Sequence, residues 1–317
     1  MRDQVDTALN EARTLVLVVH ILVGFGLEAP FGQRFPSLPW SSQEAKLAGL
    51  ALQLVALALL LWPCAYHRIV LRAEDVPELK QFVTGVLGLA LMPFAIGVAI
   101  ELYVAAAAIV GNPAGLAIGL GGAVAALACW YGLPELDRRR DPRPEPQEDN
   151  EMPEPTDVQT KVKNVLTELR VVIPGAQALL GFQLAGVLTD AFDKLPAVSK
   201  EVHLASLVLL ALAVLLMMTP PAYHRIAERG EDTVHFERFA SRVMLISMVP
   251  LAFGIAGDVY VVYAKVTGSA TAGAVAGALL LVGFLGMWFG YTWFRRLTGA
   301  APARCRDEPS RREARAA

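Results

Sequence analysis

The sequence predicts an all-α integral membrane protein in which eight transmembrane helices form two parallel four-helix repeats. Three observations predict this fold class: an apolar composition, eight long apolar runs and an internal duplication. Of the 317 residues, 55% are hydrophobic and 18% are charged, whereas a soluble domain usually carries about 25% charged residues. The composition therefore argues against a soluble α/β enzyme.

Eight apolar runs hold most of the hydrophobic residues, and most of them have about the 20 residues that a helix needs to cross a bilayer. Inside lipid every backbone N–H and C=O must be paired within its own segment, so we expect helices. The runs lack the period-two alternation of β-barrel strands. They cover residues 14–33, 46–63, 82–110, 114–133, 171–189, 203–219, 239–264 and 271–294.

The basic residues predict the orientation of these helices. Of the 28 Lys and Arg residues, 23 lie in the two termini, the loops 64–81 and 220–242, and the stretch 134–170. The positive-inside rule places this side in the cytoplasm. We therefore expect a multi-pass protein of the cell membrane with both termini in the cytoplasm. The net charge of −2 gives no reason to expect nucleic acid as a partner, and the expected partner is the lipid bilayer.

The chain repeats itself without a gap at an offset of 157 residues, which is the distance from His67 to His224. Residues 65–69 and 222–226 share the sequence Ala-Tyr-His-Arg-Ile. Because each unit contains an even number of predicted helices, both have the same orientation, and a pseudo-two-fold axis should lie along the membrane normal. The fused pair is what a homodimer of single units would look like. Whether the whole chain forms a homo-oligomer stays open.

The duplication divides the chain into four parts. Residues 1–136 are predicted to form the first four-helix transmembrane repeat, and residues 164–297 the second. Residues 137–163 and 298–317 are rich in Pro, Arg and acidic residues and contain few apolar ones. Such segments cannot bury enough apolar surface to fold, so we expect a disordered cytoplasmic linker and a disordered cytoplasmic tail.

Short motifs spread over about three of the four helices of each unit carry a family resemblance. In the second unit they are Leu169-Arg170-Val171, Gly175, Gln177, Gly181-Phe182, Phe192, Leu195, Pro220, His224-Arg225 and Asp258. On these residues each unit resembles a bacterial four-helix membrane protein family of unknown function, some members of which are labelled sodium/proton antiporter. The resemblance implies a tandem duplication. The first unit departs from the pattern at His20, where the second has Gln177, so the two halves could differ in function.

Two acids lie at equivalent positions within apolar helices, Glu101 and Asp258. A charge at the bilayer centre costs from about 2.5 to more than 10 kcal/mol, so carboxyl groups persist there when they pair, contact water or stay protonated. Such groups suit a pathway for protons or cations. The alternative is a structural hydrogen bond between helices or a place in the outer interface, and the sequence leaves both open.

Two further residues belong to the first repeat alone. Glu28 lies at a depth comparable to that of Glu101 and aligns with Ala185, so a carboxylate pair is possible in the first repeat only. The alternative places Glu28 at the outer end of its helix. His20 lies about 10 Å inside the membrane by helix rise. It is a candidate for a proton relay on the cytoplasmic side, or a histidine that is hydrogen-bonded within the bundle.

The repeated His-Arg dipeptide is the third candidate feature. His67 and Arg68, with His224 and Arg225, follow Pro63 and Pro220 at the cytoplasmic ends of the second and sixth predicted helices. Histidine titrates near neutral pH, so these residues could modulate transport as a gate or pH sensor. The alternative is anchoring at the membrane interface. A remote alternative is ligation of a haem between the two histidines.

No nucleotide, phosphate or metal motif occurs in the sequence, and we expect no enzyme, cofactor or resident metal. The leading functional hypothesis is proton-coupled cation transport, with sodium as the cation, or proton conduction. Its pathway would use Glu101, Asp258 and Glu28, with His67, Arg68, His224, Arg225 and His20 as modulators on the cytoplasmic side. The competing hypothesis is a membrane scaffold or stress-response protein that transports nothing.

Overall fold

The computed structural model describes residues 2–74, 76–140 and 156–298, and these residues form helices and turns without any strand. Helix α1 covers Arg2–Glu28 and is followed by two short 3₁₀ turns. Helices α2 and α3 cover Trp40–Ile69 and Pro77–Val110. Helix α4 consists of an α-helical segment, Asn112–Leu127, a π-helical turn and a second α-helical segment, Leu133–Arg140.

The second half repeats this order of elements. Helix α5 covers Val158–Gly186, and a single helical turn precedes α6, Ala197–Ile226. Helix α7 covers Val234–Thr267. Helix α8 consists of an α-helical segment, Ala270–Leu285, a π-helical turn, Gly286–Tyr291, and a final α-helical segment, Thr292–Leu297. The all-helical fold class is thereby confirmed.

Seven helices of the described chain are long and apolar enough to cross a membrane, judged by length and composition. They correspond to α2 through α8. The apolar part of α1 is shorter, at Leu15–Phe31. The eight transmembrane spans of the sequence analysis therefore stay a prediction, and α1 has a shorter apolar part than the other seven helices.

The predicted linker 137–163 is shorter in the structure than the sequence indicated. Helix α4 continues to Arg140, and α5 begins at Val158 because the side chain of Asp157 caps it by accepting a hydrogen bond from Thr160 N at 2.6 Å. Residues 137–140 and 158–163 of the predicted linker are therefore helical. Residues 141–155 of the linker and residues 299–317 of the tail lie outside the described residues.

The duplication is visible in the backbone of the loops. The turn after α2 places Arg72 and Ala73 at φ 52° and 61°, and the equivalent turn after α6 places Arg229 and Gly230 at 54° and 83°. Positive φ is unusual for residues other than glycine. Two successive residues with this conformation at the same offset show that the repeat extends to local geometry as well as sequence.

The two repeats meet where their first helices pack together, α1 against α5. This contact is close because small residues line it: the Cα of Gly175 on α5 lies against the imidazole of His20, and Gly24 on α1 lies against the ring of Phe182. Within each repeat the remaining helices pack in chain order, α2 on α3 and α3 on α4, and likewise α6 on α7 and α7 on α8.

The last helices of the two repeats, α4 and α8, make different contacts and so depart from two-fold symmetry. Trp288 on α8 donates from Nε1 to Ala58 O at 2.9 Å and so attaches α8 to α2 of the first repeat. Its repeat equivalent, Tyr131 on α4, donates instead to Gly88 O within its own repeat at 2.5 Å. The hydroxyl of Tyr263 adds a second link to the first repeat, at 2.9 Å from Leu47 O.

The packing of α1 on α5 predicts the effect of one methyl group. Gly175→Ala places a Cβ within the space of the His20 ring, which is fully buried. Overpacking of this kind costs about 1–3 kcal/mol, so the thermal midpoint of the purified protein should fall. Gly181→Ala is the matched control on the same helix, because nothing lies near its Cβ position. A midpoint that falls equally in both variants would contradict the close contact.

Candidate functional site

Asp258 lies on α7 and is almost fully buried, with 3% of its surface exposed. The side-chain amide of Gln183 on α5 donates to Asp258 Oδ2. His203 on α6 approaches from the other side, with its Nδ1 3.5 Å from Asp258 Oδ1. Three helices of the second repeat thus bring an amide and an imidazole to one carboxyl group.

The hydrogen bond of His203 to the backbone of Gln183 determines which nitrogen of the imidazole carries the proton. His203 Nε2 lies 3.3 Å from the backbone oxygen of Gln183. A carbonyl oxygen only accepts, so Nε2 carries a proton. Nδ1 of the neutral imidazole is then a lone pair that faces a carboxyl oxygen, and two acceptors do not attract each other. A favourable contact requires one more proton, either on Asp258 Oδ1 or on His203 Nδ1.

A small cavity adjoins this pair. Its volume is ≈ 20 Å³, which is enough for about one water molecule. Its polar lining consists of Glu28, Gln183, His203 and Asp258, and Leu, Val and Phe side chains form the remainder. Two buried oxygens of this lining, Gln183 Oε1 and Asp258 Oδ1, have no hydrogen-bond partner. The cavity therefore offers acceptors to a water molecule or a proton.

Glu28 reaches this cavity from the other repeat. It ends α1, and one of its carboxyl oxygens lies against Gly186 at the end of α5. The possible carboxylate pair of Glu28 with Glu101 is therefore not what the structure shows, since the α1–α5 packing turns Glu28 towards the second repeat. The site around Asp258 is built from both repeats.

In the first repeat Glu101 has a different partner. Lys46 on α2 donates from Nζ to Glu101 Oε2, and the two side chains are 10% and 21% exposed. Lys46 and His203 are themselves equivalent at the offset of 157. Sequence reasoning missed both residues, because it compared the two acids between the repeats and did not compare the other polar residues. The offset alone could have identified them.

Gln53 is a second polar difference between the repeats. It is fully buried on α2, and neither its Nε2 nor its Oε1 has a hydrogen-bond partner. Its side chain packs on Gly97 of α3 and lies close to Gly26 of α1. The equivalent residue in the second repeat is Leu210, which is also fully buried and packs on Gly254.

The first His-Arg dipeptide joins the two repeats near the cytoplasmic end predicted for α2. His67 donates from Nδ1 to Glu168 Oε1 at 2.6 Å, and Arg68 donates from Nε to Glu168 Oε2 at 3.0 Å. Arg68 also donates to Ser241 Oγ at 3.0 Å and lies 3.6 Å from Glu237 Oε1. We call these five residues the inter-repeat clamp. Removing one member of such a buried ion pair leaves an uncompensated charge.

The other predicted modulators lie apart from the clamp. His224 lies 3.3 Å from Asp232 in the neighbouring loop, and Arg225 is exposed. His20 is fully buried on α1, where its Nδ1 bonds to Val16 O at 2.8 Å and its Nε2 has no partner. The structure thus separates the candidate residues into a site at Asp258, a pair at Glu101, the clamp, and two histidines, His20 and His224, that lie outside these groups.

A second contact between the repeats lies in the loop after α2. Glu74 accepts from Lys161 Nζ at 2.5 Å and from Thr156 N at 2.9 Å. Burial by itself would raise the pKa of Glu74, but the hydrogen bonds from Lys161 and Thr156 and the charge of Lys161 outweigh it and lower that pKa.

The described residues contain no group of three or more His, Cys, Asp or Glu side chains that could hold a metal ion. A family model described as "Family of unknown function (DUF6328)" matches residues 2–134 and again residues 154–292. The two matches correspond to the two repeats. No curated protein and no solved structure matches the chain.

The contact at Glu74 predicts a pH-dependent stability. Because its pKa is lower in the folded protein, the contact stabilises the fold above the ordinary carboxyl pKa and loses this effect as the pH falls through the folded value. Glu74→Gln should lower the thermal midpoint at neutral pH by about 2 °C, the size expected for a partly exposed ion pair. At an acidic pH below the folded pKa of Glu74 the variant and the wild type should coincide. Glu78→Gln, an exposed acid nearby, serves as control, and equal losses at both pH values would contradict the prediction.

The unpartnered amide of Gln53 predicts that an apolar residue is more stable there. Gln53→Leu installs the residue that the second repeat has at the equivalent position, and it should raise the free energy of unfolding by about 1 kcal/mol. Leu210→Gln is the reverse exchange and should lower it by about 1–3 kcal/mol. Thermal unfolding in lipid nanodiscs measures both. A Gln53→Leu variant that is less stable than the wild type would contradict the prediction.

Proposed function

The chain belongs to the family of unknown function DUF6328, whose model it matches twice, and from this starting point we propose that it is an integral membrane protein that moves protons through the carboxyl group of Asp258. The movement is either proton conduction or proton-coupled transport of a cation such as sodium. Helices α2 to α8 cross the bilayer and α1 completes eight spans. The 23 basic residues on one side support placing both termini in the cytoplasm.

The single observation that carries this proposal is the contact between His203 and Asp258. His203 Nδ1 lies 3.5 Å from Asp258 Oδ1, and because Nε2 of the imidazole donates to the backbone oxygen of Gln183, a proton on either of the two facing atoms makes this contact favourable. Ionisable groups within membrane helices are costly and often form proton relays. A carboxyl group and an imidazole can exchange such a proton without moving the backbone.

The cavity beside the pair supplies a route to this proton. Glu28 lies at the end of α1 and lines the same cavity as Asp258. One water molecule in a space of ≈ 20 Å³ can bridge Glu28 to Asp258 Oδ1, which has no hydrogen-bond partner. Glu28 is then the entry group on the outer side, and Gln183 holds the other oxygen of Asp258 in place.

A scaffold without transport is the second candidate function, and the inter-repeat clamp favours it. Glu168 is 1% exposed and bonds to both His67 and Arg68. Such a buried cluster fixes the two repeats against each other, which suits a protein whose cytoplasmic loops bind a partner. In this case Asp258 is a structural hydrogen bond between helices.

Flux measurements separate the two candidates. Purified protein in liposomes with a pH gradient should acidify or alkalinise the lumen faster than empty liposomes, and Asp258→Asn should reduce the rate to that of empty liposomes, since an amide cannot exchange the proton. Glu201→Gln, an exposed acid on α6, should retain the wild-type rate. Measurements with and without sodium identify any coupled cation. Wild-type protein that behaves like empty liposomes would leave the scaffold as the function.

A further inference from the structure

We infer that Lys46 acts as a built-in cation that occupies the first repeat permanently, so that the two repeats are unequal and protons move through the second repeat alone. This inference rests on the proposed function of Asp258. It assigns a role to a residue that the pathway does not use, and it sets the number of working sites at one for each chain.

The two acid–base pairs, one in each repeat, occupy equivalent positions. Glu101 on α3 and Asp258 on α7 match at the offset of 157, and so do Lys46 on α2 and His203 on α6. Both pairs also meet in space, since Lys46 Nζ donates to Glu101 Oε2 and His203 Nδ1 lies 3.5 Å from Asp258 Oδ1. The basic partner therefore occupies the same place in both repeats and differs only in its chemistry.

That chemical difference decides whether the acid is available. An ammonium group has three donors and no acceptor, and it is a compact positive charge on a flexible stem that reaches the carboxylate. Lys46 therefore occupies Glu101 in the way that a bound cation would. An imidazole both donates and accepts, so His203 can take up the proton of Asp258 or return it.

The surroundings of the two acids differ as well, because Asp258 has more polar neighbours than Glu101. Asp258 is faced by Gln183 from α5, His203 from α6 and Glu28 from α1, and the cavity lies among them. The first-repeat position equivalent to Gln183 is Gly26, and it packs on Leu50 of α2. Within the described part of the chain, Lys46 is the charged side chain placed on Glu101. The first repeat therefore combines a tethered charge with the loss of one polar partner.

The inference predicts that a lysine at position 203 silences the second repeat. His203→Lys copies the first repeat, so its ammonium group should pair with Asp258 and reduce proton flux in liposomes to the level of Asp258→Asn. His203→Gln removes the imidazole without adding a charge and should retain more flux than His203→Lys. The double variant Lys46→Gln/Glu101→Gln removes the first pair without leaving a lone buried charge, and its flux should stay within about twofold of the wild type because the two sites are independent.

The outcomes distinguish this inference from the proposed function. Wild-type protein without flux would refute the proposed function. Flux in the wild type together with His203→Lys flux at or above that of His203→Gln would overturn the inference while leaving the proposed function intact. A double variant that loses as much flux as Asp258→Asn would also overturn it. Each variant is compared at equal reconstituted amount, and only variants that elute as a single species with a wild-type thermal midpoint enter the comparison.

Discussion

The need to partner polar groups inside an apolar bundle determines most of this structure. Between tightly packed apolar helices, a buried charge or amide must find a partner on another helix or lose stability. The chain meets this constraint in three ways: Lys46 pairs with Glu101, the clamp surrounds Glu168, and Gln183 and His203 hold Asp258. These contacts join the helices to one another, and two of the three groups contain residues from positions that match between the repeats.

Duplication followed by divergence explains why equivalent residues now do different things. A homodimer of single units must carry the same side chain at both copies of a position, whereas a fused chain can change one copy. Three pairs of positions show such changes. Lysine at position 46 matches histidine at 203, glutamine at 53 matches leucine at 210, and tyrosine at 131 matches tryptophan at 288. Trp288 attaches α8 to α2, whereas Tyr131 bonds α4 within its own repeat. The asymmetry therefore extends from single contacts to the arrangement of helices.

Much of the fold could be predicted from the sequence, because apolar run length and a gapless offset are direct physical signals. The acids Glu101 and Asp258 were found in the same way, as charges that interrupt apolar helices. Their partners were not found, since which face of one helix meets which face of another depends on packing that one sequence does not reveal. Glu28 illustrates this: its depth suggested Glu101 as a neighbour, but the small residues Gly24 and Gly175 draw α1 against α5 and place Glu28 beside Asp258. The ends of the linker were also misjudged, because polar residues such as Lys161 and Lys163 continue a helix that starts before the apolar run.

The inter-repeat clamp also limits how the two halves can move. Glu168 and Gln183 lie 15 positions apart on α5, which places the clamp about 22 Å from the cavity along the helix. The boundary between the repeats therefore has buried ion pairs at the clamp and a small cavity at the other end. Any tilt of one repeat about the clamp would change the spacing of the groups around the cavity more than the spacing of the groups in the clamp, because the cavity lies farther from the point of attachment.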